Sequence, residues 1–199
     1  MRVIGGVAGG IALLAPRSGN VRPTMDQVRA AIFSSLAERI AGACVLDLFA
    51  GTGGLGIEAL SRGARAATFI ERDRAAADCI RRNLEKTNLS AGGSVIAQDA
   101  FAFLARRGGP HNTEPFDLIF ADPPYTTRDQ PIDFGRQLTD SDALKAALCP
   151  GGLFILEKSP RHQLTLAPGT WEIVRQKRYG STEVLFLSRR AGSGCSGGL

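Results

Sequence analysis

From Cys44 onward, short apolar runs alternate with stretches in which apolar residues recur every three or four positions. The runs Cys44–Leu48, Ala66–Glu71, Ser94–Gln98, Phe116–Ala121 and Leu153–Glu157 predict strands. Between them, patterns such as Arg74–Leu84 place Ala76, Ile80, Asn83 and Leu84 on one helical face and charges on the other. Strands that alternate with helices, and that are apolar on both faces, predict an α/β fold with a parallel sheet covered on both sides. The rhythm changes at the C-terminus. Trp171–Tyr179 and Ser181–Arg189 are separated only by Gly180, too little chain for a parallel crossover, so they form an antiparallel pair. The first forty residues are a preface. Gly-rich alternation predicts a hairpin, Pro16–Pro23 a loop, and Thr24 or Asp26 a cap for a helix buried along Val28, Ile32, Phe33 and Leu36. The expected organisation is therefore an extension over 1–40, a main domain over 41–190, and a Gly/Ser-rich flexible tail over 191–199.

Composition adds three constraints. A chain of 199 residues, 44% hydrophobic and 22% charged, suits one globular unit. The net charge of +5 is unevenly spread: +3 over residues 1–39, −2 over 40–150 and +4 over 151–199. Basic flanks around a mildly acidic centre suit a polyanion gripped at the periphery of a site. Cys44, Cys79, Cys149 and Cys195 have no metal-ligand spacing with His111 or His162, and most adjoin apolar runs, which predicts reduced thiols in the cytoplasm and no metal. Arg2 followed by Val3–Ala15 has some outward likeness to a signal peptide, but its glycines and the lack of a cleavage site favour the hairpin. No stretch is long enough to span a membrane as a helix.

Four motifs carry chemistry. Val45-Leu-Asp-Leu-Phe-Ala-Gly-Thr-Gly-Gly-Leu-Gly-Ile-Glu58 is a strand entering a Gly-rich turn and a helix, and Gly51, Gly53 and Gly56 satisfy G-x-G-x-x-G. A dinucleotide has to be considered, but the Asp47 carboxylate would repel its pyrophosphate. It suits a cationic nucleoside, and S-adenosylmethionine (SAM) carries an ammonium and a sulfonium. Glu71, ending the second strand, can accept both hydroxyls of a ribose. Asp99, after the third strand, can accept from an adenine amino group or cap a helix, or both. The fourth motif, Phe116-Asp-Leu-Ile-Phe-Ala-Asp-Pro-Pro-Tyr125, is the most specific. Pro123 and Pro124 have no N–H and leave carbonyls that only accept. The exocyclic amine of a base is a poor nucleophile because its lone pair is delocalised. Asp122 and the Pro123 carbonyl can hold its two hydrogens and direct that lone pair, while Tyr125 offers a face for stacking.

In this order the motifs resemble the class I SAM-dependent methyltransferases. Further segments resemble the bacterial small-subunit (16S) ribosomal RNA guanine-N2 methyltransferases of the RsmD type. These are Arg2-Val-Ile-Gly-Gly6, Val21-Arg-Pro-Thr-Met-Asp-Gln-Val-Arg29, Leu55-Gly-Ile-Glu-Ala-Leu-Ser-Arg-Gly-Ala64, Pro150-Gly-Gly-Leu153 and Lys177-Arg-Tyr-Gly-Ser-Thr182. The resemblance spans about residues 2–189. It implies a Rossmann-like, seven-stranded, mostly parallel sheet with the antiparallel C-terminal pair, and SAM as cofactor. It also implies that Arg22, Pro23 and Thr24 close over the methionine end of SAM. Asp47, Ala50, Gly51, Thr52 and Gly53 would line its amino acid and sugar, Glu71 and Arg72 the ribose, and Asp99 and Ala100 the adenine, with Asp122 also among the cofactor-binding residues. The implied partner is 16S rRNA or a small-subunit assembly intermediate, met by a monomer. Where that family carries Lys or Arg in the N-terminal hairpin, this chain has Val7-Ala-Gly-Gly-Ile-Ala12. Two other readings stand beside this one: an adenine-N6 nucleic-acid methyltransferase, though no room remains for a recognition domain, and a non-catalytic RNA-binding assembly factor.

Overall fold

The computed structural model describes residues 1–15, 23–107, 114–124 and 133–190, the side chains of residues 23–25 and 107 excepted. Arg22, Tyr125, His111, Cys195 and the expected tail fall outside them. Seven strands form one sheet: β1 (Cys44–Leu48), β2 (Ala66–Glu71), β3 (Gly93–Ala97), β4 (Phe116–Ala121), β5 (Leu148–Lys158), β6 (Trp171–Tyr179) and β7 (Thr182–Arg189). Their order is β3-β2-β1-β4-β5-β7-β6. The first five are mutually parallel, and β7 runs antiparallel to both β5 and β6. The α/β sheet and the antiparallel pair expected from the sequence are both present. β7 rather than β6 adjoins β5, so the hairpin folds back and its second strand fills the gap.

Helices cover both faces. On one lie α1 (Pro23–Leu36), α2 (Gly54–Ser61) and α3 (Arg74–Lys86), whose Val28, Ile32, Phe33, Leu36, Ile57, Ile80 and Leu84 pack with Val45, Phe69, Leu118, Phe120 and Ile155. On the other lie α4 (Ala100–Arg107), α5 (Phe134–Asp140) and α6 (Asp142–Ala147), whose Phe103, Leu104, Leu138 and Leu144 pack with Leu46, Leu48, Ile70, Ile119, Phe154 and Leu156. Alternation along each strand feeds the two cores in turn, as the apolar runs require. Helix α1 opens at Pro23, whose fixed φ and missing N–H suit a first helical position.

Two elements differ from the sequence expectation. Strand β5 begins at Leu148 rather than Leu153, because the chain runs on through Pro150-Gly-Gly with a register shift against β4 between Phe116 and Leu118. The N-terminal segment is not a regular hairpin. A single antiparallel bridge, Arg2 to Ala12, joins its arms, with Val3 N–H donating to Ile11 (2.9 Å) and Leu13 N–H to Met1 (3.0 Å). Gly9, Gly10 and Ile11 N–H bond within the segment, and four other donors go to helix α2. Ile4 and Gly5 N–H bond the Glu58 carboxylate at 2.7 and 2.9 Å, and Val7 and Ala8 N–H bond the Ser61 carbonyl and hydroxyl at 2.8 and 2.9 Å. A backbone that satisfies its polar groups on a helix has no need of a second strand.

Candidate active site

The five parallel strands all end at one edge of the sheet, and the strand order reverses between β1 and β4. Ligands of doubly wound sheets lie in the crevice at such a point. The loop after β1 is held open there. Phe49, Gly51 and Gly53 take positive φ values of 60°, 56° and 81°. The Gly51 N–H donates to Glu71 at the end of β2 (2.8 Å), and the Thr52 carbonyl accepts from Asn83 of α3 (3.0 Å). Gly56 brings α2 onto β2 so closely that a Cβ there would stand 2.3 Å from the Phe69 ring.

Beside this loop lies a cavity of about 270 Å³, lined by Phe49, Ile70, Glu71, Arg72, Gln98, Asp99, Ala100, Asp122, Pro124 and Phe134. Glu71, Arg72, Asp99, Ala100 and Asp122 were singled out in the sequence, and the fold brings them to one opening. Glu71 already accepts from the backbone of Gly51 and Asp73, which fixes its rotamer and leaves further lone pairs. Asp99 is the helix cap: its Oδ1 accepts from Phe101 and Ala102 N–H, both at 3.0 Å, and the residue is exposed at the cavity. Ala50, Gly51, Thr52 and Gly53 form the adjoining loop. Pro23 and Thr24 open α1.

Asp47 is not on the cavity wall. It is 1% exposed, and its Oδ2 accepts from Gly56 N–H at 2.9 Å, tying β1 to the first turn of α2. Desolvation raises its carboxyl to about 7, with the nearby Asp122 and Glu71 adding to the effect. Asp122 is raised to about 6 by burial. A third member of the group, Glu157 at the end of β5, was not anticipated. Burial, Asp122 and Asp47 push its carboxyl well above the usual range, against the opposing field of Arg29 on α1. Asp47 is flanked by residues of the α4 to α6 core, as Glu157 is by Leu156, and Ala121 pairs with Leu156. Asp47 and Glu157 therefore point to the α1 face of the sheet edge, and Asp122 follows Ala121, the partner of Leu156, at that edge. Neither Asp122 nor Glu157 accepts a hydrogen bond from any described residue.

The aromatic wall was also missed. Phe49 meets Phe101 and Phe134 edge-on, with centroids at 6.1 and 5.8 Å, and Phe101 stacks on Phe134 at 6.0 Å. Phe49 sits inside the Gly-rich motif and Phe101 directly after Asp99-Ala100, so position could have flagged both. Phe134 reaches the cavity only through the fold.

A seven-stranded sheet with β7 reversed, and a nucleoside-sized cavity at the ends of β1 to β4, defines the architecture of the class I methyltransferases. Comparison with known proteins narrows this. The family described as "Conserved hypothetical protein 95" matches residues 1–188, and this chain belongs to that family of RsmD type. Ribosomal RNA small subunit methyltransferase D of Escherichia coli strain K12 is 37% identical over 192 residues, covering 96% of this chain and 91% of that protein. The protein of the same name from Haemophilus influenzae is 34% identical over 183 residues, covering 90% and 89%. The solved structure of yhhF from Escherichia coli superposes with a TM-score of 0.79 at 33% identity, covering 96% of this chain and 98% of that one.

Proposed function

We propose that this protein transfers a methyl group from SAM to the exocyclic N2 amine of a guanine in small-subunit (16S) ribosomal RNA. The observation that carries the reading is a nucleoside-sized cavity at the ends of β1 to β4, walled in part by Glu71, Asp99 and Asp122, with the buried Asp47 and the half-buried Glu157 as further acids beside Asp122. Mutually repelling buried acids favour a cation, and SAM brings two positive centres. A pyrophosphate would add to the repulsion, which speaks against NAD and FAD despite the Gly-rich loop.

The residues fit the cofactor. Glu71 is placed for ribose hydroxyls, Asp99 and the Ala100 backbone for adenine, the Phe49, Phe101 and Phe134 wall for its ring faces, and Gly51 and Gly53 for close backbone approach. Arg22, Pro23 and Thr24 complete the methionine end, and Asp47 acts from behind the loop through its charge and its hold on α2. SAM supplies an electrophilic methyl on a sulfonium. The chain's own contribution is to present the amine: Asp122 and the Pro123 carbonyl accept its two hydrogens, and Tyr125 stacks on the base, which must leave its helix to reach them. The substrate is rRNA or a small-subunit assembly intermediate, met in the cytoplasm by a single copy of the chain. The names of the relatives, and the basic residues at the site's edge of the sheet, support this partner.

Calorimetry tests the cofactor assignment. SAM is expected to bind and NAD not to compete, with Glu71→Ala weakening SAM by about 1.5–3 kcal/mol through loss of charge-assisted hydrogen bonds. Unchanged SAM affinity in Glu71→Ala would remove the assigned pocket.

A further inference from the structure

Beyond the cofactor cavity, on the other side of the Asp122-Pro-Pro turn, lies a second cleft. Its walls include Pro123, Pro124, Phe134, Glu157 and His162, and its enclosed part is about 40 Å³. That volume takes one edge of a purine and not the whole ring system. Pro124 and Phe134 line both clefts, so the proline turn is the partition between them. Glu157 stands at the end of β5 after Leu156, whose partner Ala121 precedes Asp122, and the Glu157 carboxylate accepts no hydrogen bond from any described residue. Glu58, Glu71, Asp47 and Asp99 are all engaged by backbone N–H groups. Glu157 and Asp122 are half-buried and left with acceptor capacity that no described donor meets, which leaves them open to a ligand that brings the donors.

We infer that Glu157 reads the target base, accepting the N1–H of guanine and sharing with Asp122 the N2 hydrogen on the same side, while the Pro123 carbonyl takes the other N2 hydrogen. The inference rests on the function proposed above and names the group that selects guanine within it. The Watson–Crick edge of guanine presents N1–H and N2–H side by side, a spacing that one carboxylate accepts in bidentate fashion. Adenine presents a lone pair at N1 and can meet only one oxygen of an ionised carboxylate, whereas the two guanine N–H donors favour that ionised form against the burial that raises Glu157. A pair of adjoining acids at this turn therefore favours guanine, whereas a lone acid with the proline carbonyl would accept an amino group from either purine. Lys158, the neighbour of Glu157, is occupied by Glu183 at 2.6 Å and does not compete for its carboxylate.

The test crosses a change in the protein with a change in the RNA. Once the methylated guanine is mapped with the wild-type enzyme, two RNA fragments are made, with guanosine or N1-methylguanosine at that position. Wild-type kcat/KM should fall on the N1-methylated RNA by roughly 5- to 150-fold, the range for losing a bidentate base contact. Glu157→Gln should lose a comparable factor on the guanosine RNA. Glu157→Ala should lose it too, and should then treat the two RNAs alike, because the partner of N1–H is gone. A residue that only supports the fold would lower both RNAs by one factor and keep the wild-type ratio. That result, or wild-type kcat/KM in Glu157→Gln, overturns the inference. SAM affinity measured on both variants serves as the control for folding, and a matching loss there would put Glu157 in the cofactor pocket and also overturn it. Wild-type enzyme that leaves rRNA unmethylated, or that methylates adenine, defeats the underlying functional reading and the inference with it.

Discussion

Asp122 bears most of the proposed chemistry. It sits at the end of β4, is raised to about 6 by burial, and adjoins a proline turn that offers only acceptors. Its contribution is to orientation and hydrogen bonding in the transition state, so Asp122→Ala should slow single-turnover methyl transfer at least about a hundredfold. SAM affinity should change much less, and near wild-type transfer would dispose of the mechanism. Asp47 makes a different prediction. Its pKa rises from near 4 in the unfolded chain to about 7 in the fold, so the native state holds a proton that the unfolded chain releases. The stability this gives is full below about pH 4 and is lost as pH rises through about 7. Without cofactor, the thermal midpoint should therefore fall between pH 5.5 and pH 8. In Asp47→Asn, which keeps an acceptor for Gly56 N–H, the fall should be smaller. An equal fall in both proteins would show that Asp47 does not titrate in this range.

Single strands and turns explain what was legible in the sequence. The apolar runs of β1, β2 and β4 end where the structure ends them, because buried parallel strands leave few alternatives to a continuous apolar stretch. Strand β5 was only half visible, since Pro150-Gly-Gly reads as a break although the sheet absorbs it as an irregularity. Glu71, Asp99 and Asp122 could be found because each stands at or just beyond the end of a strand. Glu157 obeys the same rule and was overlooked for want of a motif around it. Phe134 carried no local signal, because only the packing of α5 against the β1 loop brings it to the cavity. The run Leu55–Ala64 also gains a physical reason: Glu58 and Ser61 hold the N-terminal segment, and Glu58 pairs with Arg62 at 2.7 Å and Arg29 at 3.7 Å. Within it, Gly56→Ala would drive a methyl into the buried Phe69 ring, which has nowhere to move. The expected cost is about 1–3 kcal/mol, read as a lower urea midpoint. An unchanged midpoint would mean that α2 does not pack on β2 as described.

Across the whole molecule, the sheet gathers its chemistry at one end. The pairs Lys158 with Glu183 and Arg178 with Glu183 place the turn between β6 and β7 at the same edge as the ends of β4 and β5. Lys177 and Arg178 thus stand at the rim of the site, on an edge strand exposed along most of its length, where a phosphate backbone can be met. The basic C-terminal flank seen in the sequence has its place there, while the acids of the central region line the interior. A cation-seeking pocket, an amine-holding turn and a basic rim at one edge constitute the central claim: SAM methylates guanine N2 in small-subunit rRNA. The direct measurement is to incubate the purified protein with methyl-labelled SAM and small-subunit rRNA, free and in assembling particles. The RNA is then digested and the labelled nucleoside identified by mass. One labelled N2-methylguanosine at a single position, absent with Asp122→Ala, is the predicted result. Label in N6-methyladenosine, or none in RNA while SAM still binds, would contradict the account.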